Sequence, residues 1–203
     1  QFITLYTFVT MGISMGASVL SSRYWGARDL VSLKKVITIA LRFSLALALC
    51  FTAANVFLPQ YIMSLYFQPD AVGEIAAGVT YLRWSTGCFV LMAISLVLTN
   101  ILRSMSLSAV PLLASACAFG INIGANYVLI FGKLGFPAMG VAGAALGTFL
   151  ARIVETGVIM VSFFRNQRLR YRLKDILRPC KDLVMEFLRI SVPVMLSDSL
   201  LGL

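Results

Sequence analysis

The sequence predicts an all-α polytopic membrane protein. Five stretches, each about as long as a bilayer is thick, are free or nearly free of charged residues: 1–20, 36–58, 76–102, 109–131 and 141–164. About 20 apolar residues, each rising 1.5 Å along a helix, cross a hydrocarbon core of roughly 30 Å. The composition agrees, because 60% of the residues are hydrophobic, 12% are charged and the mean hydropathy is +0.91. An ordinary soluble domain of this size is excluded.

The basic residues indicate how the helices are oriented. The first gap between the apolar stretches contains Arg23, Arg28, Lys34 and Lys35, and the last gap is filled or bordered by Arg165, Arg168, Arg170, Arg172, Lys174, Arg178, Lys181 and Arg189. The gaps between them on the opposite side hold only Lys133 and Arg83. The positive-inside rule therefore predicts that the first, third and fifth gaps face the cytoplasm, although the third contributes only Arg103. The net charge of +9 is thus assigned to membrane topology, and no nucleic-acid partner is expected.

The first three stretches have features of packed membrane helices. In the first, hydroxyl residues recur at three- and four-residue spacing along one face, and Gly12 and Gly16 form a small-xxx-small pair that allows close helix contact. These hydroxyls indicate an inward-facing, mildly polar wall. In the second, Arg42 lies near the cytoplasmic end, where its side chain can reach the headgroups. In the third, Tyr81 and Trp84 suit the outer interface.

The fourth stretch contains two asparagines, Asn122 and Asn126, which are four residues apart on one helix face. An unpaired amide in hydrocarbon costs a few kcal/mol, so both side chains are expected to face partners inside the bundle. Two interpretations remain open. Hydrogen bonding between helices is favoured by roughly two to one over coordination of a cation or solute.

In the fifth stretch, Thr148, Arg152 and Glu155 fall at positions i, i+4 and i+7 and share one face. Charges near the middle of a membrane helix are costly, so this face is expected to contact protein or water rather than lipid. Arg152 and Glu155 form either a functional site or a structural ion pair, and the sequence favours neither interpretation. Both predict a polar cavity or a tight network between helices.

The remainder of the chain divides into a basic linker and the start of another helix. Residues 165–186 are predicted to form a cytoplasmic linker, partly an amphipathic helix on the membrane surface, interrupted at Pro179. Residues 187–203 then begin a sixth helix. This helix carries Pro193 and, five residues later, Asp198, whose carboxylate must be protonated, paired or bound to a cation at that depth.

Both ends of the sequence suggest a larger protein. The chain opens on Gln1 within an apolar run, and the sixth helix stops before it can cross the membrane. We therefore expect a fragment. The sequence contains no GxxxxGK[ST] phosphate loop and no histidine, so neither ATP-driven pumping nor histidine-based catalysis is supported, and no cofactor is predicted. Any transport would use an ion gradient or a partner.

Several motifs together resemble one transporter family. They are NILRS at 100–104, NIGANYVLIFG at 122–132 and GFPAMGVAGAALGT at 135–148, with RYWGARD at 23–29 and VPVMLSD at 192–198. These segments, in this order, resemble the multidrug and toxic compound extrusion (MATE) family. The resemblance covers nearly the whole chain. It implies that residues 1–164 are helices two to six of the N-terminal lobe of a twelve-helix, two-lobe transporter, truncated at both ends, and that residues 187–203 begin the seventh helix.

The resemblance also implies site residues. Family members have a cation site in the first lobe, with two polar or acidic residues four apart on the fifth helix and a threonine on the sixth. The matching positions are Asn122, Asn126 and Thr148. Asn126 stands where some members carry Asp, and the acid of the first helix lies outside the sequence. The acid of the seventh helix corresponds to Asp198, where many members have Glu.

The function implied is secondary active efflux and not enzymatic catalysis. The carrier would exchange a proton or sodium ion for amphipathic cationic drugs or toxic compounds by alternating access. The full-length protein is expected to be monomeric and to lie in the bacterial inner or plasma membrane. A flippase of the same superfamily, moving a lipid-linked saccharide or peptidoglycan precursor, is the alternative. An intramembrane enzyme would need a catalytic dyad, for which Glu155 and Asp198 make a poor case.

Overall fold

A computed structural model of the chain describes residues 2–64, 72–133, 135, 137–167, 169, 171–177 and 180–201. Within these ranges the chain is helical. The elements in order are α1 (Phe2–Gly26), α2 (Leu30–Phe57), α3 (Pro59–Ser64), α4 (Val72–Trp84), α5 (Cys88–Ser104), α6 (Ala109–Phe131), α7 (Gly140–Phe164), a 3₁₀ helix (Leu173–Leu177) and α8 (Lys181–Leu201).

The helices confirm the polytopic architecture. Among the described residues, α1, α2, α6 and α7 are long and apolar enough to cross a membrane. The consecutive helices α4 and α5 make a fifth span if they are taken together. These five spans correspond to the five apolar stretches of the sequence. The predicted class of an all-α polytopic membrane protein is therefore confirmed.

The structure differs from the sequence prediction in the third span, which is bent by 58° between α4 and α5. The turn at 85–87 frees the carbonyl of Leu82, which accepts hydrogen bonds from Asn55 Nδ2 of α2 at 2.8 Å and from Thr86 Oγ1 at 3.1 Å. Gly87 lets a ring of α7 approach the bend, since a Cβ at this position would lie 2.6 Å from Phe149 Cε2. The break thus depends on side chains from two other helices.

Two turns are fixed by local backbone chemistry. Asp29 caps α2, because its carboxylate accepts hydrogen bonds from the N–H groups of Val31 and Ser32 at 3.1 Å each. The hydrogen bonds from Ser32 are the main reason that the pKa of the Asp29 carboxyl lies below its usual range. Further along the chain, α6 ends at Gly132, where φ is +65° and a Cβ would lie 2.7 Å from the backbone nitrogen of Ala138.

Three helices, α2, α5 and α8, pack against α1. Leu20 of α1 joins Ile37, Ile101 and Phe163 of the neighbouring helices in the main apolar core. Three members of the predicted wall, Thr10, Ser14 and Ser21, are buried. Ser14 Oγ donates to Thr10 O of the same helix at 2.8 Å, whereas Ser18 Oγ donates to Asn100 O of α5 at 3.4 Å. In contrast, α6 packs chiefly against α7 and is otherwise largely exposed. Any site formed by α6 is therefore shared with α7.

The segment after α7 packs against α2. The Tyr171 hydroxyl lies 2.8 Å from Thr38 Oγ1, which also donates to the carbonyl of Asp175 at 3.1 Å. Burial raises the pKa of Tyr171 to about 12, so this hydroxyl stays protonated under ordinary conditions. Leu169 and Cys180 are buried as well. The predicted linker thus has a docked portion, and α8 begins at Lys181, six residues before the predicted start at 187.

The last helix, α8, lies along α1 and continues through Pro193. The two helices cross closely, because a Cβ at Gly16 would lie 2.0 Å from Ser191 Oγ and 2.8 Å from Ser191 Cα. Near the end of α1, Arg23 Nη1 forms an ion pair of 2.7 Å with Glu186. The close contact at Gly16 and the ion pair between Arg23 and Glu186 thus keep α8 packed against α1.

Candidate functional site

The site is built where α6 and α7 approach closely. Small residues of α7 permit this contact: a Cβ at Gly143 would lie 2.7 Å from the carbonyl oxygen of Leu129. One turn later, a Cβ at Gly147 would lie 2.2 Å from Asn126 Oδ1. Polar side chains of the two helices are consequently brought face to face within the spans.

The two asparagines of α6 are joined to each other. Asn126 Nδ2 donates to Asn122 Oδ1 at 3.1 Å. The other amide oxygen, Asn126 Oδ1, is buried without a hydrogen-bond partner in the described part of the chain. A buried acceptor left unsatisfied costs about 1–3 kcal/mol. Coordination of a cation or solute by these amides stays a prediction.

Thr148, Arg152 and Glu155 of α7 lie on the same side of the helix, as their spacing predicts. Arg152 Nη1 and Glu155 Oε2 form an ion pair of 2.6 Å, and Ser115 Oγ of α6 donates to Glu155 Oε1 at 3.3 Å. The Arg152 side chain is 38% exposed and that of Glu155 is 13% exposed. Thr148 donates to the carbonyl of Ala144 at 3.0 Å. The carboxylate is thus held between the two helices, and the guanidinium lies nearer the opening.

These side chains line a cleft of about 400 Å³ between α6 and α7. Its lining residues are Ser115, Ala118, Phe119, Asn122, Thr148, Ala151, Arg152 and Glu155. The volume lies within the range of small-molecule sites, about 300–1,000 Å³. Both helices contribute apolar residues as well as amide, hydroxyl or charged groups to the lining, so the cleft can hold an amphipathic molecule.

Four of the six predicted site residues share this cleft: Asn122, Thr148, Arg152 and Glu155. Asn126 is connected to it through its hydrogen bond to Asn122. Asp198 lies near the end of α8, and its side chain is outside the described part of the structure. The described part of α8 packs chiefly on α1 and α2. The role of these residues stays a prediction.

Sequence reasoning missed Ser115 and Phe119, which line the same cleft. A signal for them was present. Positions 115, 119, 122 and 126 are three or four residues apart, so they continue the asparagine face of α6 toward its N-terminus. The periodicity identified the face, but only the packing of α7 shows that Ser115 reaches Glu155.

Comparison with known proteins identifies the family. The family model MatE matches residues 1–128. The chain is 27% identical over 191 residues to the "Probable multidrug resistance protein NorM" of Thermotoga maritima, covering 94% of this chain and 40% of that protein. The chain therefore spans about two fifths of the length of this curated relative.

Solved structures give the same result. The chain is similar to a structure described as the inward-facing conformation of a multidrug resistance MATE family transporter of the MOP superfamily, with a TM-score of 0.82 and 26% identity over 98% of this chain and 44% of that one. The outward-facing conformation of a MATE family transporter matches with a TM-score of 0.81 and 26% identity, over 97% and 42%. The order of helices, the motifs and the family model agree, and the chain belongs to the MatE (MATE) family.

Proposed function

We propose that the protein to which this chain belongs is a secondary active efflux carrier that exchanges a proton or sodium ion for amphipathic cationic compounds. The single observation that carries the proposal is the cleft between α6 and α7, which places a carboxylate, a guanidinium, an amide and two hydroxyl groups within apolar spans. Charged groups at membrane depth are costly and are functional by default. The names of the NorM relative and of the two structures, which refer to multidrug resistance, support the same assignment.

The proposed roles follow from the chemistry of each group. Glu155 attracts the positive group of a substrate, while the amide and hydroxyl oxygens of Asn122, Asn126 and Thr148 provide neutral ligands for an ion or a solute. Asp198 of α8 is proposed to bind the coupling proton or sodium ion. Binding neutralises its charge and favours one orientation of the carrier, and substrate favours the other. Exchange results because the two ligands stabilise different states.

The first test follows pH and sodium in everted vesicles that contain the protein expressed from its complete reading frame. Addition of ethidium is expected to release protons or sodium ions, and Asp198→Asn is expected to abolish this release without loss of protein from the membrane. Asp182→Asn is the matched control. It makes the same chemical change on the same helix, but at an exposed ion pair with Lys35, where the energetic effect is about 0–1 kcal/mol.

Normal ion release by the Asp198→Asn variant would contradict the role of this carboxylate. Lack of any response to ethidium by correctly inserted unmodified protein would contradict cation-coupled drug exchange itself. The identity of the released ion distinguishes proton coupling from sodium coupling. We place the carrier in the bacterial plasma membrane as a monomer, and both points are part of the proposal.

A further inference from the structure

We propose that the short loop between α1 and α2 binds the headgroup of an anionic phospholipid, such as phosphatidylglycerol, in the leaflet that it faces. The proposal is independent of the transport function, because it concerns a different part of the chain. It is motivated by a cavity of about 390 Å³ that is lined by Trp25, Gly26, Arg28 and Leu30. This cavity combines a cation with an amphipathic ring at the end of a membrane span.

The cation in this cavity has no acidic partner. Within the described part of the chain, the exposed side chain of Arg28 forms neither an ion pair nor a hydrogen bond. The next two basic residues differ, because Lys34 Nζ lies 4.0 Å from Asp175 Oδ2 and Lys35 Nζ lies 3.2 Å from Asp182 Oδ2. A guanidinium can hold two phosphate oxygens in a fork of parallel hydrogen bonds. Arg28 is therefore the group of this loop that suits an anionic phosphodiester.

The loop holds its side chains in a fixed arrangement. The backbone N–H of Arg28 donates to Trp25 O at 3.1 Å, and that of Asp29 donates to Tyr24 O at 3.0 Å. Arg28 has a φ of +58°, which is uncommon for a residue other than glycine. The neighbouring Asp29 carboxylate accepts hydrogen bonds from two N–H groups of α2, so it is occupied as a helix cap. A loop ordered in this way loses little conformational freedom when it binds a ligand.

The surroundings favour a lipid over a soluble anion. The ring of Trp25 packs against the main apolar core and ends in a polar N–H, as is typical of tryptophan at a membrane interface. At the start of the α2 span, Leu30 is 37% exposed and Val31 is 68% exposed, and both line a second cavity of about 160 Å³. Leu30 lines both cavities. Apolar surface thus continues from the cation toward the membrane, where acyl chains can cover it.

The predicted topology agrees with this partner. The positive-inside rule places the loop between α1 and α2 on the cytoplasmic side. The cytoplasmic leaflet is the one that carries a negative surface potential, and it attracts basic residues close to the membrane. The cavity is therefore expected to lie at the level of anionic headgroups.

Quenching of tryptophan fluorescence by brominated lipids tests the proposal, because bromine quenches an indole only at short range. The protein from the complete reading frame is placed in phosphatidylcholine vesicles that contain brominated phosphatidylglycerol or brominated phosphatidylcholine. Subtracting the signal of Trp25→Phe isolates Trp25, and subtracting that of Trp84→Phe isolates the other tryptophan of this chain, at the end of α4. We expect phosphatidylglycerol to be preferred about fivefold at Trp25, and less than about twofold at Trp84.

Three variants separate a specific site from general attraction to a charged membrane. Arg28→Gln is expected to lower the preference at Trp25 by about fivefold, which corresponds to about 1 kcal/mol for a basic residue at an anionic surface. Arg28→Lys keeps the charge and is expected to retain most of the preference. Arg165→Gln is the matched control, because it removes the same charge from an exposed residue that follows α7 and lines neither cavity. Size-exclusion chromatography checks that each variant remains folded.

A further arm distinguishes a lipid from a soluble phosphate. Sodium phosphate and sodium chloride are added at equal ionic strength, because salt alone screens exposed charges. A preference that is specific to Trp25, lost in Arg28→Gln, retained in Arg28→Lys and Arg165→Gln, and affected equally by the two salts supports the lipid site.

The other outcomes overturn the proposal. Equal preference at Trp25 and Trp84, or equal effects of Arg28→Gln and Arg165→Gln, would show attraction to the membrane as a whole. Loss of the preference in Arg28→Lys would show that the charge does not hold the headgroup. Loss in phosphate but not in chloride would show that the cavity takes a soluble anion.

Discussion

At the scale of single residues, Asn55 shows how one buried amide can define a helix break. It is completely buried in α2 and donates hydrogen bonds to the carbonyl of Leu82 at 2.8 Å and to the hydroxyl of Thr86 at 2.9 Å. In an apolar span, a carbonyl released from a helix must find another donor. The amide of Asn55 supplies that donor from a neighbouring helix.

We therefore predict that Asn55→Leu lowers the free energy of unfolding by about 1–3 kcal/mol, because the carbonyl of Leu82 loses one of its two donors and the hydroxyl of Thr86 loses its amide donor. Thermal or denaturant unfolding in detergent measures the change. Gln60→Leu is the control, since it makes the same type of amide-to-leucine change at an exposed position of α3. A loss no greater than that of Gln60→Leu would show that the bend does not need this amide.

Much of the candidate site could be predicted from single residues. The spacing of Thr148, Arg152 and Glu155 fixes one helix face, and the cost of charge in a membrane requires that face to contact polar groups. The structure adds what spacing alone cannot give. Ser115 reaches Glu155 from another helix, and Arg152 is both paired and exposed in a cleft, so the two interpretations of this pair are compatible.

At the scale of helices, the crossing of α1 and α8 depends on a glycine. A Cβ at Gly16 would meet both the side chain and the backbone of Ser191. Helix crossings in membranes rely on such small residues, because apolar side chains gain little by leaving lipid for protein. The position of α8 on α1 thus depends on residue 16 being a glycine, which has no side chain.

Gly16→Ala is expected to destabilise the fold by about 1–3 kcal/mol through overpacking, even though alanine is the better helix former by about 1 kcal/mol. Unfolding in detergent again provides the measurement. Gly120→Ala of α6 is the matched control, because a Cβ there meets nothing within 4 Å, and it should be neutral or stabilising. The double variant Gly16→Ala/Ser191→Gly should recover part of the loss; no recovery would indicate that the crossing is not the cause.

The bend between α4 and α5 marks the limit of sequence prediction for helices. Hydrophobicity is nearly continuous over 76–102, so the sequence indicates one span, and the short run of Ser85, Thr86 and Gly87 is only a weak signal of a turn. The break is stabilised by Asn55 and accommodates Phe149, both distant in sequence. A local pattern cannot report tertiary contacts of this kind.

At the scale of the whole molecule, the similarity to two conformations of MATE transporters is informative. The TM-scores are 0.82 for the inward-facing structure and 0.81 for the outward-facing one. The chain thus resembles the two conformations to about the same degree. If the protein works as the carrier proposed above, we expect α1, α2 and α5–α7 to move together as one body.

This inference predicts a constant distance between two natural cysteines. Cys50 of α2 and Cys117 of α6 are exposed, so both can carry spin labels after Cys88 and Cys180 are replaced by serine. Pulsed electron paramagnetic resonance should give the same mean distance with and without substrate and coupling ion. A label pair between Cys50 and the far lobe is the positive control for movement. A substrate-dependent change between Cys50 and Cys117 would contradict motion as one body.

The ion pair between Arg23 and Glu186 can form only late in the synthesis of the chain. The two residues are 163 positions apart, so at about 5–20 residues per second the ribosome completes Arg23 roughly 8–33 s before Glu186. During that interval Glu186 is not available to the guanidinium, and a cation without this partner is the form that holds a loop on the cytoplasmic side of the membrane. Only after α8 has been synthesised can the same charge be neutralised by its helix partner. One side chain thus serves first in the biogenesis of the membrane protein and then in its folded state.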